Sequence, residues 1–434
     1  MSLFGSSGIR GRIGKEITAD LALRIGQAVG SLHDRIIVGM DTRTSGDMMA
    51  NALAAGAMSC GASVADAGNV STPTLARAVR GHGCGLMVTA SHNPPEYNGV
   101  KMWNPDGSAF DTPQMDEVEQ LIESGSFRSP DWRGVGSRST YPSAIREHMD
   151  AIEQALKGAT STLAVDCANG ATTNISPLLL RELGCSVTSL NAQPDGFFPG
   201  RLPEPTEENL ADLIRTVKEK KADIGLAHDG DGDRVVAVDE RGRFVDGDRL
   251  LTLFAVRMKL KDVVAPVDAS MVLDDLVEGK VFRTKVGDVF VAEEMKKRDV
   301  RFGGEPSGTY IFSDQTYCPD GVYAACLLAK LASEEKLGAM IDAIPKYPVA
   351  RRSVSFKAEA RTAVRKRLEE EMRAVDCERL VTVDGYRAEF KDGWFLVRIS
   401  GTEPKLRITA EARAEEPLSM LTTLAEGVAR RCVK

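Results

Sequence analysis

The sequence predicts three doubly wound α/β domains with mixed or parallel sheets, followed by a smaller C-terminal α+β domain. At 434 residues the chain is too long for one compact core, so several domains are expected. Apolar runs typical of strands alternate with helical patterns through most of the chain, and repeated β–α–β units form largely parallel sheets. After Pro348 a helical segment is followed by closely spaced strands, which indicates an antiparallel sheet. The predicted domains are residues 1–140, 141–243, 244–346 and 347–434.

The first domain contains strand and helix signals in alternation. Its predicted strands are the apolar segments "RIIVGMDTR", "ASVADAG" and "CGLMVTAS". One helix, "SGDMMANALAAGAMSCG", ends at a glycine, and another, "STPTLARAVRG", opens with a capping residue and a proline. Ligands of open α/β sheets lie beyond the carboxyl ends of the strands, so the loops that follow the strands are the places to look for a site.

The same alternation restarts twice. The second domain has the strands "TLAVDCANG", "SVTSLNA" and "DIGLAHDGDGD", and the helices "SPLLLRELGC" and "TEENLADLIRTVKEKKA". The third domain runs through "GDRLLTLFAVRMKL", "VVAPVDAS", "VFRTKVGD", "VFVAEEMKKRD" and "VRFGGEPSG". In the last domain the helix "EARTAVRKRLEEEMRAV" precedes the strands "LVTVDG", "YRAEFKDG", "WFLVRIS" and "KLRITAEAR" and a final helix.

Composition and charge exclude several function classes. A hydrophobic share of 43% with 27% charged residues is ordinary for a globular protein. The formal net charge of -7 argues against a general nucleic-acid binder, which would carry a basic face. The eight cysteines show no CxxC pair and no zinc-ligand spacing, which indicates reduced, mostly buried thiols. No apolar signal region or membrane-spanning run is present, so we expect a cytoplasmic protein.

The loop "TASHNPPEYNGVK" places Ser91 where the strand "GLMV" stops. Two prolines stiffen the segment that follows, and an Asn-Gly turn leads back to Lys101. For a lone serine, a rigid surface loop is the favoured interpretation. A hydrolase triad is not indicated, because the GxSxG elbow is missing and His92 would point away from Ser91 in an extended chain.

The segment "AHDGDGDR" places Asp229, Asp231 and Asp233 on alternate positions at the carboxyl end of an apolar strand. Its spacing matches an EF-hand calcium loop as far as Glu240. An EF-hand, however, needs glycine where Arg234 stands and a helix on each side, whereas "VVAVDERG" reads as a strand. Three carboxylates in a tight loop suit a small hard cation that keeps positions open for a phosphate oxygen. A solvated acidic turn is disfavoured because unpaired aspartates this close repel one another.

Two further loops offer groups that suit sugars and phosphates. "FGGEPSGTY" presents Glu305 and Ser307 from a glycine-flanked turn, which suits sugar hydroxyls, although most such turns are only turns. In "VRISGTEPKLRI" a turn offers hydroxyls and backbone N–H groups between two flanking arginines, Arg398 and Arg407. Hydroxyls, turn amides and guanidinium groups together make a phosphate cradle, and a plain hairpin explains this loop equally well.

Taken together, these loops resemble those of the α-D-phosphohexomutase family in the family's own order: serine loop "TASHNPP", metal loop "DGDGDR", sugar loop "GEPSG" and phosphate loop "RISGTEP". The N-terminal "FGSSGIRG" is similar to the family's opening, where Arg10 belongs to the site. The resemblance covers the whole chain. It implies four domains around a central cleft, each lending one loop. It also implies a phosphoryl group on Ser91 beside one Mg²⁺ ion held by Ser91, Asp229, Asp231 and Asp233.

The resemblance further implies a reaction that moves phosphate between O6 and O1 of a hexose. Phosphoserine gives its phosphoryl group to the substrate, the hexose 1,6-bisphosphate turns end for end, and the other phosphoryl group returns to Ser91. Lys101 and His92 are the acid/base candidates, and Arg10 and Arg234 steady the phosphoserine. The implied substrate-binding residues are Glu305 and Ser307 on the sugar, Lys285, Gly287 and Asp288 of "KVGD", and Arg398, Ser400, Gly401, Thr402 and Arg407 on the second phosphate.

The choice of sugar depends on departures from the bacterial members, which carry asparagine or methionine before the serine of "GGEPSGT" and histidine after the glycine. With "RTKVGDVFVAEEM", "GRLPEP" and "VDASM", the chain resembles archaeal members that interconvert glucosamine 6-phosphate and glucosamine 1-phosphate on the way to UDP-N-acetylglucosamine. Pro306 stands where those members have a side chain that can form a hydrogen bond, and its own side chain cannot, which predicts loose sugar selectivity.

Several alternatives stay open. Mannose or glucose phosphate is the alternative substrate, and a metal-dependent phosphohydrolase or a non-catalytic sugar-phosphate-binding protein is a more distant one. We expect small hexosamine or hexose phosphates as partners, a bisphosphate activator, no nucleic acid or membrane, and a monomer or homodimer.

Overall fold

The computed structural model describes residues 3–5, 8–400 and 403–433. Within these ranges the chain forms four sheets in succession, here called sheets A to D, each with helices packed against it. Sheets A, B and C are mixed and sheet D is antiparallel, so the predicted fold class is confirmed. None of the helices in the described ranges combines the length and apolar character that a membrane crossing requires.

Sheet A has six strands in the order β1-β5-β4-β2-β3-β6. Its strands are β1 (Ile9–Arg12), β2 (Arg35–Met40), β3 (Ser63–Asn69), β4 (Cys84–Val88), β5 (Tyr97–Trp103) and β6 (Arg138–Thr140). Its helices are α1 (Ala19–Leu32), α2 (Gly46–Ser59), α3 (Thr72–Ala78) and α4 (Thr112–Ser124). The strand β5 runs antiparallel to both β1 and β4. The loop between β4 and β5 therefore lies at the carboxyl end of β4, where Ser91 is located.

Sheet B has the order β11-β10-β9-β7-β8. Its strands are β7 (Thr162–Asp166), β8 (Ser186–Leu190), β9 (Ile224–His228), β10 (Val235–Asp239) and β11 (Phe244–Val245), and its helices are α5 (Ala144–Ala155), α6 (Ser176–Glu182) and α7 (Ala211–Lys220). The strands β9 and β10 form an antiparallel pair in which His228 faces Val235. The acidic segment thus forms the tight connection between these two strands, as the apolar segment after it predicts.

Sheet C has the order β13-β12-β14-β15. Its strands are β12 (Val263–Pro266), β13 (Val281–Thr284), β14 (Phe302–Glu305) and β15 (Thr309–Phe312). Its helices are α8 (Gly247–Arg257), α9 (Val272–Leu276), α10 (Asp288–Arg298), α11 (Gly321–Glu334) and α12 (Leu337–Asp342). The apolar faces of sheets B and C share one continuous core, in which Val165 of β7 and Phe302 of β14 belong to the same buried cluster.

Sheet D has the order β16-β20-β19-β18-β17, and every neighbouring pair is antiparallel. Its strands are β16 (Val349–Ser355), β17 (Arg379–Val381), β18 (Tyr386–Phe390), β19 (Gly393–Ile399) and β20 (Lys405–Ala412), and the helices α13 (Arg361–Arg373) and α14 (Glu415–Val433) cover one face. The edge strand β16 is absent from the sequence prediction, which begins this domain with the helix. All eight cysteines are unpaired, and Cys377 is the partly exposed one while the other seven are buried.

Candidate active site

The carboxyl-end loops of sheets A, B and C meet around a cavity of about 460 Å³. Ten of the residues predicted from the sequence line this cavity: Arg10, Ser91, His92, Lys101, Asp233, Arg234, Gly287, Asp288, Glu305 and Ser307. Asp229 and Asp231 are fully buried beside it. Ligand pockets commonly fall in the range of 300 to 1,000 Å³, so this cavity has a suitable size for a sugar phosphate.

Ser91 is held in an unusual backbone conformation. Its φ angle is +51°, in the left-handed region that non-glycine residues rarely adopt, and its backbone N–H donates a hydrogen bond to the Thr89 hydroxyl at 2.8 Å. The Ser91 Oγ donates to Asp229 Oδ2 at 2.7 Å and lies 3.2 Å from His92 Nδ1. The expectation that His92 points away from Ser91 is therefore wrong, because it assumed an extended chain.

Arg43 organises the serine loop, and sequence reasoning missed it. Its guanidinium is completely buried and donates hydrogen bonds to the Asp41 carboxylate and to four backbone carbonyls, those of Ser91, Asn93, Pro94 and Tyr97. One side chain thus satisfies the carbonyls of almost the whole loop and fixes its path. The available signal was an arginine just after the end of the apolar strand β2, in a position where a solvated charge is the usual explanation.

The acidic loop brings three carboxylates together. Oxygen atoms of Asp229, Asp231 and Asp233 lie within 4.8 Å of one another. Lys101 Nζ donates to Asp231 Oδ2 at 2.8 Å and to Asp233 Oδ2 at 2.5 Å, and the Thr72 hydroxyl also donates to Asp231 Oδ2 at 2.7 Å. The arrangement links sheet A to sheet B directly, because Lys101 belongs to β5 and Thr72 begins α3.

The carboxylates fit a metal ion. The Oδ1 atoms of Asp231 and Asp233 are buried, and neither has a hydrogen-bond partner in the described part of the chain. Buried acceptors are normally satisfied, so two such atoms beside a third carboxylate indicate room for a cation. Oxygen ligands of this kind suit a small hard cation such as Mg²⁺. Glu240, the residue that completes the EF-hand spacing, instead accepts a hydrogen bond from the Gly338 N–H at 2.8 Å.

The metal loop and the serine loop touch through glycine. A Cβ atom on Gly230 would lie 2.5 Å from the Ser91 carbonyl oxygen, which is too close for any side chain. The neighbouring His228 ends β9, where Nδ1 lies 3.1 Å from the Arg234 carbonyl oxygen and Nε2 lies 3.0 Å from the Ser176 hydroxyl. His228 thereby closes the base of the acidic loop.

Burial and neighbouring charges shift the pKa values of several groups in the cavity. Burial, with Asp233 and Asp231 adding to it, raises the pKa of Asp229 well above its usual range. Burial works against the charge of Lys101, but the adjacent carboxylates of Asp231 and Asp233 outweigh it and raise the pKa of this ammonium group. Burial, together with the nearby Arg234 and Arg10, lowers the pKa of His92 to about 3. At neutral pH Lys101 is therefore a cation and His92 a neutral imidazole.

The loops of sheet C form an acidic wall on the other side of the cavity, made of Asp248, Asp268, Asp288 and Glu305. The Glu305 carboxylate accepts hydrogen bonds from the Gly287 N–H at 2.7 Å and from the Thr309 hydroxyl at 3.2 Å. Burial, reinforced by Asp288, raises the pKa of Glu305 to about 7, and burial raises the pKa of Asp248 to about 7 as well. Sequence reasoning missed Asp248 and Asp268, although Asp268 stands two residues beyond the end of β12.

Lys285 does not reach the cavity. Its Nζ lies over the Phe290 ring, 5.2 Å from the ring centroid, whereas Gly287 and Asp288 of the same "KVGD" stretch do line the cavity. A cation–π contact accounts for the position of this ammonium group. The structure thus separates Lys285 from the two neighbours that were predicted with it.

The predicted phosphate loop borders a second cavity of about 690 Å³ on sheet D. Arg398 and Arg407 lie opposite each other on β19 and β20 and both line it, with Lys405 and Arg351 beside them. Ser400 is buried, and its hydroxyl accepts a hydrogen bond from the Glu403 N–H at 3.3 Å. Gly401 and Thr402 lie outside the described residues. Five cationic residues therefore line the second cavity: Arg351, Arg352, Arg398, Lys405 and Arg407.

Comparison with known proteins identifies relatives along the whole chain. Family models for the phosphoglucomutase/phosphomannomutase α/β/α domains I, II and III match residues 1–129, 139–242 and 246–347, and the model for the C-terminal domain matches residues 351–422. A probable phosphoglucosamine mutase of Methanocella arvoryzae is 51% identical, covering 100% of this chain and 99% of the relative. One of Methanococcoides burtonii is 46% identical, with full coverage of both chains.

Solved structures show the same architecture. A phosphoglucomutase/phosphomannomutase family protein of Burkholderia thailandensis is 30% identical with a TM-score of 0.87, covering 99% of this chain and 97% of the other. An N-acetylphosphoglucosamine mutase of Aspergillus fumigatus, solved with GlcNAc-6P and magnesium, is 16% identical with a TM-score of 0.57, covering 99% and 96%. At that identity the second match supports the fold alone.

Proposed function

Because this chain belongs to the phosphoglucomutase/phosphomannomutase family of phosphohexomutases, which are isomerases, we propose that it interconverts glucosamine 6-phosphate and glucosamine 1-phosphate on the route to UDP-N-acetylglucosamine. The observation that carries the proposal is the position of Ser91. Its hydroxyl lies in the wall of the first cavity, 2.7 Å from one of three clustered aspartates. A nucleophile beside a cation site suits phosphoryl transfer.

In the proposed cycle Ser91 carries a phosphoryl group at rest. The phosphoryl group passes to the free O1 or O6 hydroxyl of the bound sugar phosphate. The Oγ–P bond breaks as the new O–P bond forms, the sugar hydroxyl loses its proton, and Ser91 Oγ takes up a proton. The resulting hexosamine 1,6-bisphosphate turns end for end within the cleft. Its other phosphoryl group then returns to Ser91 Oγ, which loses its proton, while the sugar oxygen that gives up the phosphoryl group gains one. The isomerised monophosphate is then released. No phosphate is lost to water in a complete cycle.

Asp229, Asp231 and Asp233 would hold one Mg²⁺ ion, with an oxygen of the Ser91 phosphoryl group as a further ligand. The ion would supply neutralisation of the negative charge on the phosphoryl group. The support is chemical: three oxygen donors lie within 4.8 Å, and two of the buried carboxylate oxygens lack a partner in the described ranges.

Cationic groups around Ser91 would bind the phosphoryl oxygens. Lys101, Arg10 and Arg234 line the same cavity as Ser91, and Lys101 is kept protonated by its two carboxylate neighbours. Preorganised positive charge stabilises a transferring phosphoryl group without reorganisation. We assign Lys101 the role of a cation and proton donor. Neutral His92, 3.2 Å from Ser91 Oγ, is the candidate for accepting a proton near the serine.

The sugar would lie between Ser91 and the acidic wall. Glu305 and Ser307 would bind hydroxyl groups shared by both orientations of the sugar, and Gly287 and Asp288 border the same space. The phosphate that is not being transferred would lie on sheet D near Arg398, Ser400 and Arg407, with Gly401 and Thr402 assigned from the sequence alone. Lys285 is left out of the proposal because its ammonium group lies over Phe290.

The acidic wall supports an amino sugar as substrate. The cavity receives an anionic sugar phosphate, yet it is lined by Asp248, Asp268, Asp288 and Glu305 on one side. The ammonium group of glucosamine phosphate would compensate this charge, whereas the neutral hydroxyl of glucose or mannose would not. The names of the relatives agree with this choice, because they are called probable phosphoglucosamine mutases.

A panel of coupled assays with glucosamine, glucose and mannose 6-phosphates, Mg²⁺ and a trace of hexose 1,6-bisphosphate tests the proposal. We expect the highest kcat/KM with glucosamine 6-phosphate, and equal or better turnover of mannose phosphate would reject the amino-sugar assignment. Net release of inorganic phosphate would favour a phosphohydrolase. Ser91→Ala should remove the phosphorylated form from the intact mass spectrum along with activity, and activity within a few fold of the parent would reject the phosphoserine.

Asp268→Asn tests the acidic wall separately. The change removes one negative charge beside the sugar, so it should lower kcat/KM for glucosamine 6-phosphate about tenfold and leave glucose 6-phosphate within about twofold, as expected for one charge contact of roughly 1.4 kcal/mol. Asp299→Asn is the matched control, because Asp299 follows the last residue of α10 on the surface and has a left-handed conformation that asparagine also adopts. An equal loss of kcat/KM with both sugar phosphates would show that Asp268 does not recognise the amino group.

A further inference from the structure

The edge strand β16 carries a cationic residue toward the active site. In the antiparallel register, Arg351 faces Thr409 and Ser353 faces Arg407, and residues directly opposite each other share one face of a sheet. Arg407 in turn faces Arg398 on β19. Arg351 therefore lies on the same face of sheet D as the two arginines of the predicted phosphate loop, the face that the helices α13 and α14 leave uncovered.

Arg351 lies at the junction of the two cavities. It lines the first cavity together with Ser91 and Lys101, and it lines the second cavity together with Arg398 and Arg407. Among the described residues, Asp268 is the other one that borders both cavities, and Arg351 is the one residue of sheet D that borders the first. A phosphate group that moves between Ser91 and sheet D would pass Arg351.

The guanidinium of Arg351 is available to an anion. Its neighbours in the second cavity already have carboxylate partners: Arg398 pairs with Asp384 at 2.7 Å, and Arg407 and Lys405 pair with Glu403 at 3.2 and 2.8 Å. Arg351 is exposed and has no ion pair or side-chain hydrogen bond to any residue in the described ranges. An unpaired guanidinium can take a phosphate bidentately, which an ammonium group cannot do.

We propose that Arg351 binds the phosphate of the bisphosphate intermediate that moves between the two cavities. This contact retains the intermediate while it rotates end for end. This proposal rests on the mutase function proposed above. The first phosphate of the intermediate must leave its contacts near Ser91 before the second phosphate can reach Ser91. At that stage the intermediate has the fewest contacts with the protein. A bidentate contact at the junction of the two cavities would keep it bound during this step, without any covalent role for Arg351.

The adjacent Arg352 provides a matched control. It lies on the same strand and also borders the second cavity, but the register places its side chain on the helix-covered face, where Nε lies 3.5 Å from Glu426 of α14. Arg351→Ala and Arg352→Ala remove the same charge from neighbouring positions. The two variants therefore share any effect of net charge, and they differ in access to the junction.

The experiment measures escape of the intermediate in the full-length enzyme. With glucosamine 6-phosphate and Mg²⁺, Arg351→Ala should raise the bisphosphate concentration needed for half-maximal activity about tenfold or more, the loss expected for a charge-assisted hydrogen-bonded contact. It should leave kcat at saturating bisphosphate within about threefold. Arg351→Lys should recover part of the affinity, and Arg352→Ala should behave like the parent. An unchanged Arg351→Ala, or an equal effect of Arg352→Ala, would overturn the proposal.

Direct binding separates this inference from the function on which it rests. Titration calorimetry of glucose 1,6-bisphosphate into the intact protein should give a Kd about tenfold weaker for Arg351→Ala than for the parent and for Arg352→Ala. An enzyme without mutase activity on any hexose phosphate would reject the proposed function. An unchanged Kd in an active enzyme would reject the role of Arg351.

Discussion

Replacement of Arg43 by lysine should lower the activity strongly, although Arg43 does not line the first cavity. The guanidinium makes five hydrogen bonds at 2.7–3.1 Å, one to Asp41 and four to carbonyls of the serine loop. An ammonium group has three donors, so at least two of these five hydrogen bonds are lost. At about 1.5–3 kcal/mol for each hydrogen bond to a charged group, the structure predicts a loss of roughly 3–6 kcal/mol of stability, mainly in the serine loop.

The kinetic effect follows from the strained backbone at Ser91. A left-handed φ of +51° costs about 1–2 kcal/mol in a non-glycine residue and persists only while its surroundings enforce it. With the Ser91 carbonyl released, the serine should relax and Oγ should leave its position 2.7 Å from Asp229. A displacement of about 1 Å costs on the order of 100-fold in rate. We therefore expect kcat to fall about 100-fold while KM stays within threefold, since the residues proposed to bind the sugar are unchanged.

The assay combines steady-state kinetics with urea denaturation and intact-mass measurement of phosphoserine. Arg181→Lys is the control, because Arg181 also donates to backbone carbonyls, those of Pro177 and Val187, but within sheet B and away from the cavity. Arg181→Lys should retain the kcat of the parent. A folded Arg43→Lys enzyme with kcat within threefold of the parent would refute the view that this guanidinium fixes the conformation of the serine loop.

Three further predictions concern the metal loop and the acidic wall. Mg²⁺ at 100 times its Kd should stabilise the protein by about 2.7 kcal/mol, seen as a rise in melting temperature that EDTA reverses and Asp231→Asn removes; a rise that survives in Asp231→Asn would count against the site. Burial raises the pKa of Glu305 to about 7, so the folded state binds more protons than the unfolded state between about pH 4.5 and 7, and the free energy of unfolding falls as the pH rises through this window. Glu305→Gln should therefore gain up to about 3 kcal/mol over the parent between pH 5 and pH 8 in urea titrations, and a gap independent of pH would contradict the cause. Gly230→Ala should lower kcat at least 100-fold because its Cβ would lie 2.5 Å from the Ser91 carbonyl oxygen, and a variant with parental kcat would show that the serine loop can yield.

The sequence locates the loops that border the two cavities, because each follows an apolar strand and contains residues with strong local preferences. Proline, glycine and alternating aspartate mark the serine and metal loops regardless of tertiary context. The rejection of the EF-hand also needed only local information, since Arg234 and a β-branched segment are incompatible with it. Ten predicted residues accordingly line one cavity.

What escaped prediction depends on contacts between distant residues. Arg43 donates hydrogen bonds to carbonyls 48 to 54 positions away, and no local sequence pattern predicts these contacts. The orientation of His92 follows from the left-handed backbone conformation of Ser91, whose carbonyl is held by the distant Arg43. The strand β16 is an edge strand with mostly exposed or half-buried residues, so its alternation is weak, and Arg351 was missed along with it. Lys285 was predicted to bind substrate together with its neighbours Gly287 and Asp288, but its ammonium group lies over the Phe290 ring.

The cysteine distribution has a practical consequence for watching this enzyme at work. Seven of the eight thiols are buried, while Cys377 is partly accessible on the segment between α13 and β17, beside sheet D. A maleimide fluorophore or nitroxide should therefore attach to the native protein at a single position without prior removal of other cysteines. Paired with a second label introduced on sheet A, it would report the distance between sheet D and sheet A, by fluorescence or spin–spin coupling, with and without a sugar phosphate.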